Sequence, residues 1–158
     1  MTDGQKTPLT RSTYERLQAE LEDLRTRGRV EIARAIEAAR ALGDLSENGD
    51  YHAAKDQQGK MEARIRQIEA TLANCEVVDD LGTSDKVAPG TVVSIRYEGD
   101  DEVERYLVGS IEEQTEGVSV VSPASPLGQA LLGRGPGETV EYEAPGGTLR
   151  VEIVAVGQ

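Results

Sequence analysis

Apolar positions in the first half of the chain recur with the period of a helix. They fall alternately three and four positions apart through residues 14–24, again through residues 32–39 after a break around Gly28, and once more through residues 54–75. This spacing is typical of the seam along which the helices of a coiled coil pack. The first helix is predicted to begin just before this pattern, with Thr10 as its N-cap.

The two helical runs flank one short polar segment, residues 43–50. Folding the chain about residues 46–47 places Leu21 opposite Leu72 and pairs the two seams, which predicts an antiparallel hairpin. At about 1.5 Å per residue, arms of about 30 residues give a rod about 45 Å long. A rod of this kind is too thin to enclose an enzyme pocket, and it is suited to reaching or bridging.

The second half changes to the period of β-strands and contains five of the six Pro residues. Alternation and turn residues predict strands and one short helix. The strands are residues 91–97, 103–110, 118–122, 139–143 and 148–156, and the helix is residues 127–132. We therefore predict an α+β protein with a helical hairpin in residues 1–80, a mostly antiparallel sheet in residues 81–158, and a linker near residues 77–86.

Composition narrows the class of protein. With 17 basic and 29 acidic residues the net charge is −12, which argues against a protein that grips nucleic acid without a partner. The absence of Phe and Trp predicts thin cores. The single Cys75 excludes an internal disulfide and a Cys-based zinc finger, and its place on the second seam predicts a small core residue. No run approaches the ~20 apolar residues of a membrane span and no secretory segment is evident, so we expect no membrane partner and a cytoplasmic protein.

The candidate chemistry lies at the hairpin tip, where Asp44, Glu47 and Asp50 place three carboxylates. Mg²⁺ prefers oxygen ligands and commonly uses one or two protein carboxylates, so Asp44 and Glu47 fit half of a metal site. The same Asp-x-x-Glu spacing also fits an N-cap followed by a capping-box Glu. The spacing alone leaves both interpretations open.

The tip run Gly-Asp-Leu-Ser-Glu-Asn at residues 43–48, followed by Tyr51 and a polar Ala-rich helix, closely resembles the tip signature of the GreA/GreB family. Further pieces agree with that family in order and spacing. They are Leu-Thr at residues 9–10 with Tyr14 and Leu17, Glu62 with Arg64 and Ile65, and Ser-Pro-Ala-Ser-Pro-Leu-Gly at residues 122–128 with Pro-Gly-Gly at residues 145–147. Departures such as Thr13 and Gly49 do not touch Asp44 or Glu47.

The resemblance implies a transcription elongation factor that inserts its hairpin through the secondary channel of bacterial RNA polymerase. Asp44 and Glu47 match the tip acids that help to hold the second catalytic Mg²⁺ and to position the attacking water. The polymerase's own active site then cuts backtracked nascent RNA, so the protein is expected not to be an enzyme. It is expected to be a monomer, to bind no metal tightly alone, and to dock through a C-terminal domain of FKBP-like fold.

Two further surfaces follow from the resemblance. A basic patch is expected to contact the RNA 3′ end, with Arg34, Arg40 and Lys55 as candidates; the alternative is a solvated coiled-coil face with interleaved acids. The docking surface is expected at Ser122, Pro123, Ser125 and Pro126. The alternative there is a Pro-rich turn that leads into a short helix.

Three other functions are alternatives to this interpretation. Prolyl isomerases of the FKBP-like fold line their pocket with aromatic residues, and the C-terminal half has only Tyr97, Tyr106 and Tyr142, so isomerase activity is not expected. A plain coiled-coil adaptor would tolerate any polar tip. An anti-cleavage paralogue would occupy the same channel and inhibit, although Asp44 and Glu47 in their cleavage-type spacing argue against it.

Overall fold

The structure is a computed structural model that describes residues 6–44, 47–78 and 85–157. Two sequence predictions lie outside these residues: most of the expected linker, at residues 79–84, and the centre of the tip, at residues 45–46. In the described part of the chain, no helix is both long enough and apolar enough to cross a membrane. The predicted α+β class is confirmed, with a helical hairpin and a mixed sheet.

The chain divides into two compact units, one formed by Met1–Tyr14 with Cys75–Gln158 and the other by Glu15–Asn74. The sequence had placed a single boundary between residues 80 and 81. The start of the chain belongs with the C-terminal half because strand β1 (Thr7–Thr10) pairs in parallel with strand β2 (Cys75–Val78). Neither strand was predicted.

The hairpin unit consists of consecutive helical segments. They are α1 (Arg11–Asp23), a π-helical turn (Leu24–Gly28), α2 (Arg29–Arg40) and α3 (Gly49–Ala73). The break predicted around Gly28 is thus a π-helical turn that continues the helix rather than ending it. A Cβ atom at Gly28 would lie 3.1 Å from Met61 Sδ, so the glycine allows the second arm to approach closely there.

Among the residues that the structure describes, Arg–Glu ion pairs cross between the arms at several levels. Hydrogen bonds from Arg64 lower the pKa of Glu20 below its ordinary value, and hydrogen bonds from Arg29 lower the pKa of Glu62. Both of these pairs are bidentate, with N···O distances of 2.7–3.0 Å. The pairs are Arg64–Glu20, Arg29–Glu62 and Arg25–Glu69. They add a fixed pairing of charges to the apolar seam.

The second arm ends earlier than the apolar pattern predicted. Asn74, with φ −118° and ψ 26°, leaves the helical region, and the chain turns into β2. Cys75 is the first residue of that strand and is half-buried, so its predicted place on the helical seam is wrong. The β-branched Val77 and Val78 favour the strand that replaces the last helical turn.

The other unit contains a five-stranded sheet in the order β5-β4-β3-β7-β6. The pair β4–β5 is parallel, and the other three pairs are antiparallel, as the sequence predicted for most of the sheet. The strands are β3 (Val92–Tyr97), β4 (Glu104–Val108), β5 (Ser119–Val121), β6 (Thr139–Ala144) and β7 (Gly147–Val156). A 3₁₀ turn (Ile111–Glu113) connects β4 to β5, and helix α4 (Pro126–Leu131) connects β5 to β6.

The fully buried core of this unit is aliphatic. Alternate residues of the strands, such as Val93 and Ile95 of β3, are fully buried and pack with Leu127 and Leu131 of α4. The tyrosines lie at the margin of the core: the hydroxyls of Tyr97 and Tyr142 are 2.9 Å apart and share a hydrogen bond. This small core supports the loops that carry the candidate docking residues.

Candidate functional site

The candidate tip acids lie between the two long helical arms. Helix α2 ends at Arg40, Gly43 takes a φ of 126°, and Asp44 follows it with an exposed side chain. Glu47 is also exposed and lies two residues before the start of α3. A φ in this range favours glycine, so Gly43 is suited to turning the chain at this point.

Asn48, not Asp44, caps the second arm. Its Oδ1 accepts a hydrogen bond from Tyr51 N at 3.0 Å, and α3 begins at the next residue, Gly49. The capping-box interpretation of Asp44 and Glu47 is therefore wrong for this helix. Asn is as strong an N-cap as Asp, and the structure uses the residue that follows the two acids.

Asn48 also joins the two arms. Its Nδ2 donates to the backbone carbonyl oxygen of Ala39 at 2.5 Å, while its Oδ1 caps α3. Ala39 is 4% exposed and lies one residue before the end of α2. One side chain therefore fixes the spacing of the arms directly beside Glu47. Sequence reasoning missed this role, although an Asn immediately before Gly49-Asp50 is itself a helix-start signal.

The two tip carboxylates fit a partial Mg²⁺ site. Both are oxygen donors on exposed side chains, as a hard divalent cation requires. Among the residues that the structure describes, no group of three or more His, Cys, Asp or Glu side chains is placed to hold a metal. Asp50 lies in the first turn of α3, where the helix dipole stabilises a carboxylate. Asp44 and Glu47 can thus supply some ligands, while the rest of the coordination shell would have to come from a partner.

Two groups of basic residues stand out along the hairpin. The first group lies in its middle and root, and each member forms an ion pair: Arg25, Arg27, Arg29, Lys60 and Arg64. Within the described ranges, no ion pair involves Arg34, Arg40 or Lys55, the three candidates for RNA contact. The interleaved acids expected from the solvated-face alternative therefore account for the first group only.

Two of the three candidate RNA-contact residues share one shallow depression. Arg40 of α2 and Lys55 of α3 line it together with Gln58, whose Oε1 accepts from Lys55 Nζ at 2.9 Å. Glu37 also lines this depression, whose volume is 400 Å³. Arg34 is not among its lining residues. The structure brings Arg40 and Lys55 together on the tip-proximal part of the hairpin.

The candidate docking residues divide between a loop and a helix start. Ser122 Oγ accepts from Ala124 N at 3.1 Å, which shapes the turn, and Pro123 follows it. Ser125 caps α4 through a hydrogen bond from Gly128 N at 3.1 Å, and Pro126 occupies the first position of that helix. The expected Pro-rich turn before a short helix is therefore present. It does not exclude docking, because Ser122 and Pro126 are exposed.

Ser122 and Pro123 line a groove of 660 Å³ on the sheet-containing unit. Other lining residues come from the turn after β4, including Ser110 and Ile111, and from β1, with Pro8. Ile111 is 63% exposed and so adds an apolar side chain to the groove wall. This combination of apolar and hydroxyl groups suits contact with another protein.

Comparison with known proteins covers both halves of the chain. A family model described as "Transcription elongation factor, N-terminal" matches residues 7–77, and one described as "Transcription elongation factor, GreA/GreB, C-term" matches residues 82–158. Transcription elongation factor GreA of Saccharopolyspora erythraea is 46% identical over 98% of this chain and 96% of its own length. The GreA of Thermotoga maritima is 42% identical over 96% of this chain and 97% of its own. Among solved structures, GreA factor homolog 1 (Gfh1) of Thermus thermophilus covers 98% of this chain and 100% of its own, at 27% identity and a TM-score of 0.45.

Proposed function

Because the chain belongs to the GreA/GreB family of transcription elongation factors, we propose that it acts in the secondary channel of bacterial RNA polymerase. There it stimulates the polymerase's own endonucleolytic cleavage of backtracked nascent RNA, which rescues arrested complexes. The observation that carries this proposal is the placement of Asp44 and Glu47. Both carboxylates are exposed at the end of a hairpin whose arms Asn48 joins beside them.

In this proposal, the tip acids supply negative charge to the active site of the polymerase. Asp44 and Glu47 would hold the second Mg²⁺ jointly with polymerase ligands, and the ion would lower the pKa of the attacking water and stabilise charge on the phosphate. The chain's own contribution is to place two carboxylates and to orient water through their oxygens. Both side chains are exposed, so ligands of a partner's site can approach their oxygens.

Partner dependence follows from charge. A chain of net charge −12 is repelled by nucleic acid, so its place near an RNA 3′ end depends on contacts with the polymerase. The groove with Ser122, Pro123 and Ile111 is the proposed docking surface for that contact. Arg40 and Lys55, which lack ion-pair partners among the described residues, are the proposed contacts to the displaced RNA segment.

The test uses stalled, backtracked elongation complexes with labelled RNA at a fixed Mg²⁺ concentration. The wild-type protein is expected to release a short 3′ fragment rapidly. An Asp44→Asn, Glu47→Gln double variant keeps the side-chain volumes and is expected to lose this activity while still binding polymerase. An Asp56→Asn variant, which removes one carboxylate from the exposed side of α3, serves as the matched control.

Each alternative gives a different result. Cleavage by the wild type alone supports the cleavage factor and the tip acids together. Slower elongation without cleavage would indicate a channel-binding inhibitor. Equal cleavage by wild type and double variant would overturn the role of the acids, and failure to bind polymerase would leave a coiled-coil adaptor.

A further inference from the structure

A buried carboxylate anchors the start of the first hairpin helix. Glu113 is 7% exposed and accepts three hydrogen bonds: from Thr10 N at 2.7 Å, from Thr10 Oγ1 at 3.0 Å and from Thr13 Oγ1 at 2.7 Å. Thr10 Oγ1 in turn accepts from Thr13 N at 3.3 Å, which confirms Thr10 as the predicted N-cap of α1. Every donor lies in the last residue of β1 or the first turn of α1, and none is charged.

This arrangement exceeds what a helix start requires. Thr10 already caps α1 with its own hydroxyl, and one such cap satisfies the local need. Burying a carboxylate carries a desolvation cost that neutral donors offset only with good geometry, and a well-packed apolar residue is often at least as stabilising. A Glu that lies 103 residues away from Thr10 in the sequence therefore points to a requirement for position rather than for stability alone.

The turn that carries Glu113 also forms part of the groove. Its first residue, Ile111, is exposed in the groove wall, and its last residue, Glu113, holds α1. Ser110 fixes this short turn twice, because its Oγ accepts from Glu112 N at 3.1 Å and its carbonyl oxygen accepts from Glu113 N at 2.9 Å. Ile111 and the Glu113 carboxylate are therefore separated by a single turn of backbone, so a partner that displaced Ile111 would act on Glu113 over that short distance.

We propose that Glu113 is a positioning residue that couples occupation of the groove to the first turn of α1, the helix that continues into the first hairpin arm. The inference rests on the proposed function, because the groove is the proposed polymerase contact. When the groove is occupied, the Glu113 bonds keep Thr10 and Thr13 in place and so hold the first turn of α1 in its helical conformation. When the bonds are removed, the protein still docks, but the first turn of α1 is held less firmly and cleavage at saturation is slower.

The experiment titrates each variant against backtracked complexes and separates the apparent affinity from the maximal cleavage rate at saturation. Glu113→Ala removes all three acceptors, and Thr13→Val removes one donor with little change in volume. Glu116→Gln, which removes one charge from an exposed position three residues further along the chain, is the matched control. Thermal unfolding of each variant is measured in parallel, so that only folded protein is compared.

Glu113→Ala is expected to lower the maximal cleavage rate about tenfold and to change the apparent affinity less than about threefold. A loss of rate of about tenfold is within the range that a small misplacement far from the reacting atoms can cause. Thr13→Val is expected to show a smaller loss of the same kind, and Glu116→Gln none. A maximal rate equal to wild type in both variants, or a loss of affinity alone, would overturn the coupling. If Glu113→Ala does not fold, Thr13→Val and Glu113→Gln decide the question in the same assay. Absence of cleavage by the wild type would instead count against the proposed function.

Discussion

The Nδ2 atom of Asn48 donates to the carbonyl oxygen of Ala39 at 2.5 Å and so bridges the two hairpin arms beside the tip. The same carbonyl accepts from Leu42 N at 3.1 Å, at the end of α2. Asn48 therefore links the last turn of one arm to the first turn of the other. Its position next to Glu47 means that the local geometry of the tip depends on an amide that has no charge of its own.

Two substitutions separate the two roles of Asn48. Asn48→Asp keeps an equally good N-cap but loses the donor and brings a carboxylate toward the Ala39 carbonyl. We expect it to cost about 1–2 kcal/mol of hairpin stability and to lower the cleavage rate although Asp44 and Glu47 remain. Asn48→Ala loses both the cap and the bridge and is expected to be worse. Chemical denaturation and the cleavage assay measure both effects, and wild-type cleavage by Asn48→Asp would show that the bridge does not position the tip.

The ion pairs between the arms predict how hairpin stability depends on pH. The Arg64 hydrogen bonds lower the pKa of Glu20 in the folded protein, so the folded state binds fewer protons than the unfolded chain in the acidic range. The contribution of this pair is therefore fully present above the unfolded pKa of Glu, about 4.3, and is lost as the pH falls through the lower folded value. For a partly exposed pair we expect it to be on the order of 0.5 kcal/mol.

The measurement is the thermal unfolding of the helices, followed by circular dichroism between pH 7 and pH 3. Glu20→Gln should unfold at a lower temperature than wild type at pH 7, and the difference should shrink at pH 3. Glu15→Gln, at an exposed position of the same helix, is the control. A Glu20→Gln difference that persists unchanged at pH 3 would mean that packing rather than charge accounts for it.

Two glycines of the hairpin predict opposite outcomes of the same substitution. Gly59 lies in α3 with open space around it, and Gly59→Ala is expected to raise hairpin stability by roughly 0.5–1 kcal/mol through helix propensity. A Cβ at Gly28 would lie 3.1 Å from Met61 Sδ, so Gly28→Ala is expected to lose that gain to crowding. Chemical denaturation of both variants tests this. Equal stabilisation by the two substitutions would show that the π-helical turn does not require a glycine.

The patterns that local sequence could predict were those with a clear period. The three-four spacing predicted both arms, and the alternation along β3 to β7 predicted the sheet, because side-chain burial repeats along a single element. The parallel pair β1–β2 could not be found in this way. Each strand has only four residues, and the partners Thr7 and Cys75 are far apart in the sequence.

The residues of the candidate site likewise differ in whether a local motif predicts them. The two tip acids and the cap at Thr10 belong to local motifs, and residues 43–48 are recognisable as a unit. The bond from Asn48 to Ala39 and the bonds to Glu113 depend on tertiary approach, which no local signal encodes. Residue preference alone also does not choose between the two suitable N-caps Asp44 and Asn48, and the structure uses Asn48 for α3.

Gly128, in the first turn of α4 beside the candidate docking residues, is predicted to be indispensable. A Cβ at this position would lie 2.0 Å from the carbonyl oxygen of Ser122, a backbone atom that cannot move without opening the turn. Gly128→Ala is therefore expected to destabilise the sheet-containing unit by at least about 2 kcal/mol, as overpacking against backbone does, and to weaken polymerase binding. Gly146→Ala, where nothing lies near the added atom, is the control and should be close to neutral. Thermal unfolding and a polymerase binding titration measure the two effects. A Gly128→Ala protein with wild-type stability would show that the close approach of Gly128 to Ser122 is not required.

The depression formed by Arg40 and Lys55 predicts a salt-dependent contact with RNA. Each phosphate neutralised on a single strand contributes about −0.7 to the slope of log affinity against log salt. The double variant Arg40→Gln, Lys55→Gln is therefore expected to reduce the salt slope for binding backtracked complexes by about 1 and to lower cross-linking from a photoreactive RNA 3′ end. The control removes two charges that already have acidic partners, Arg27→Gln with Lys60→Gln, and is expected to change neither quantity. If both double variants reduced the slope equally, the effect would be one of net charge, and Arg40 and Lys55 would have no special place at the RNA.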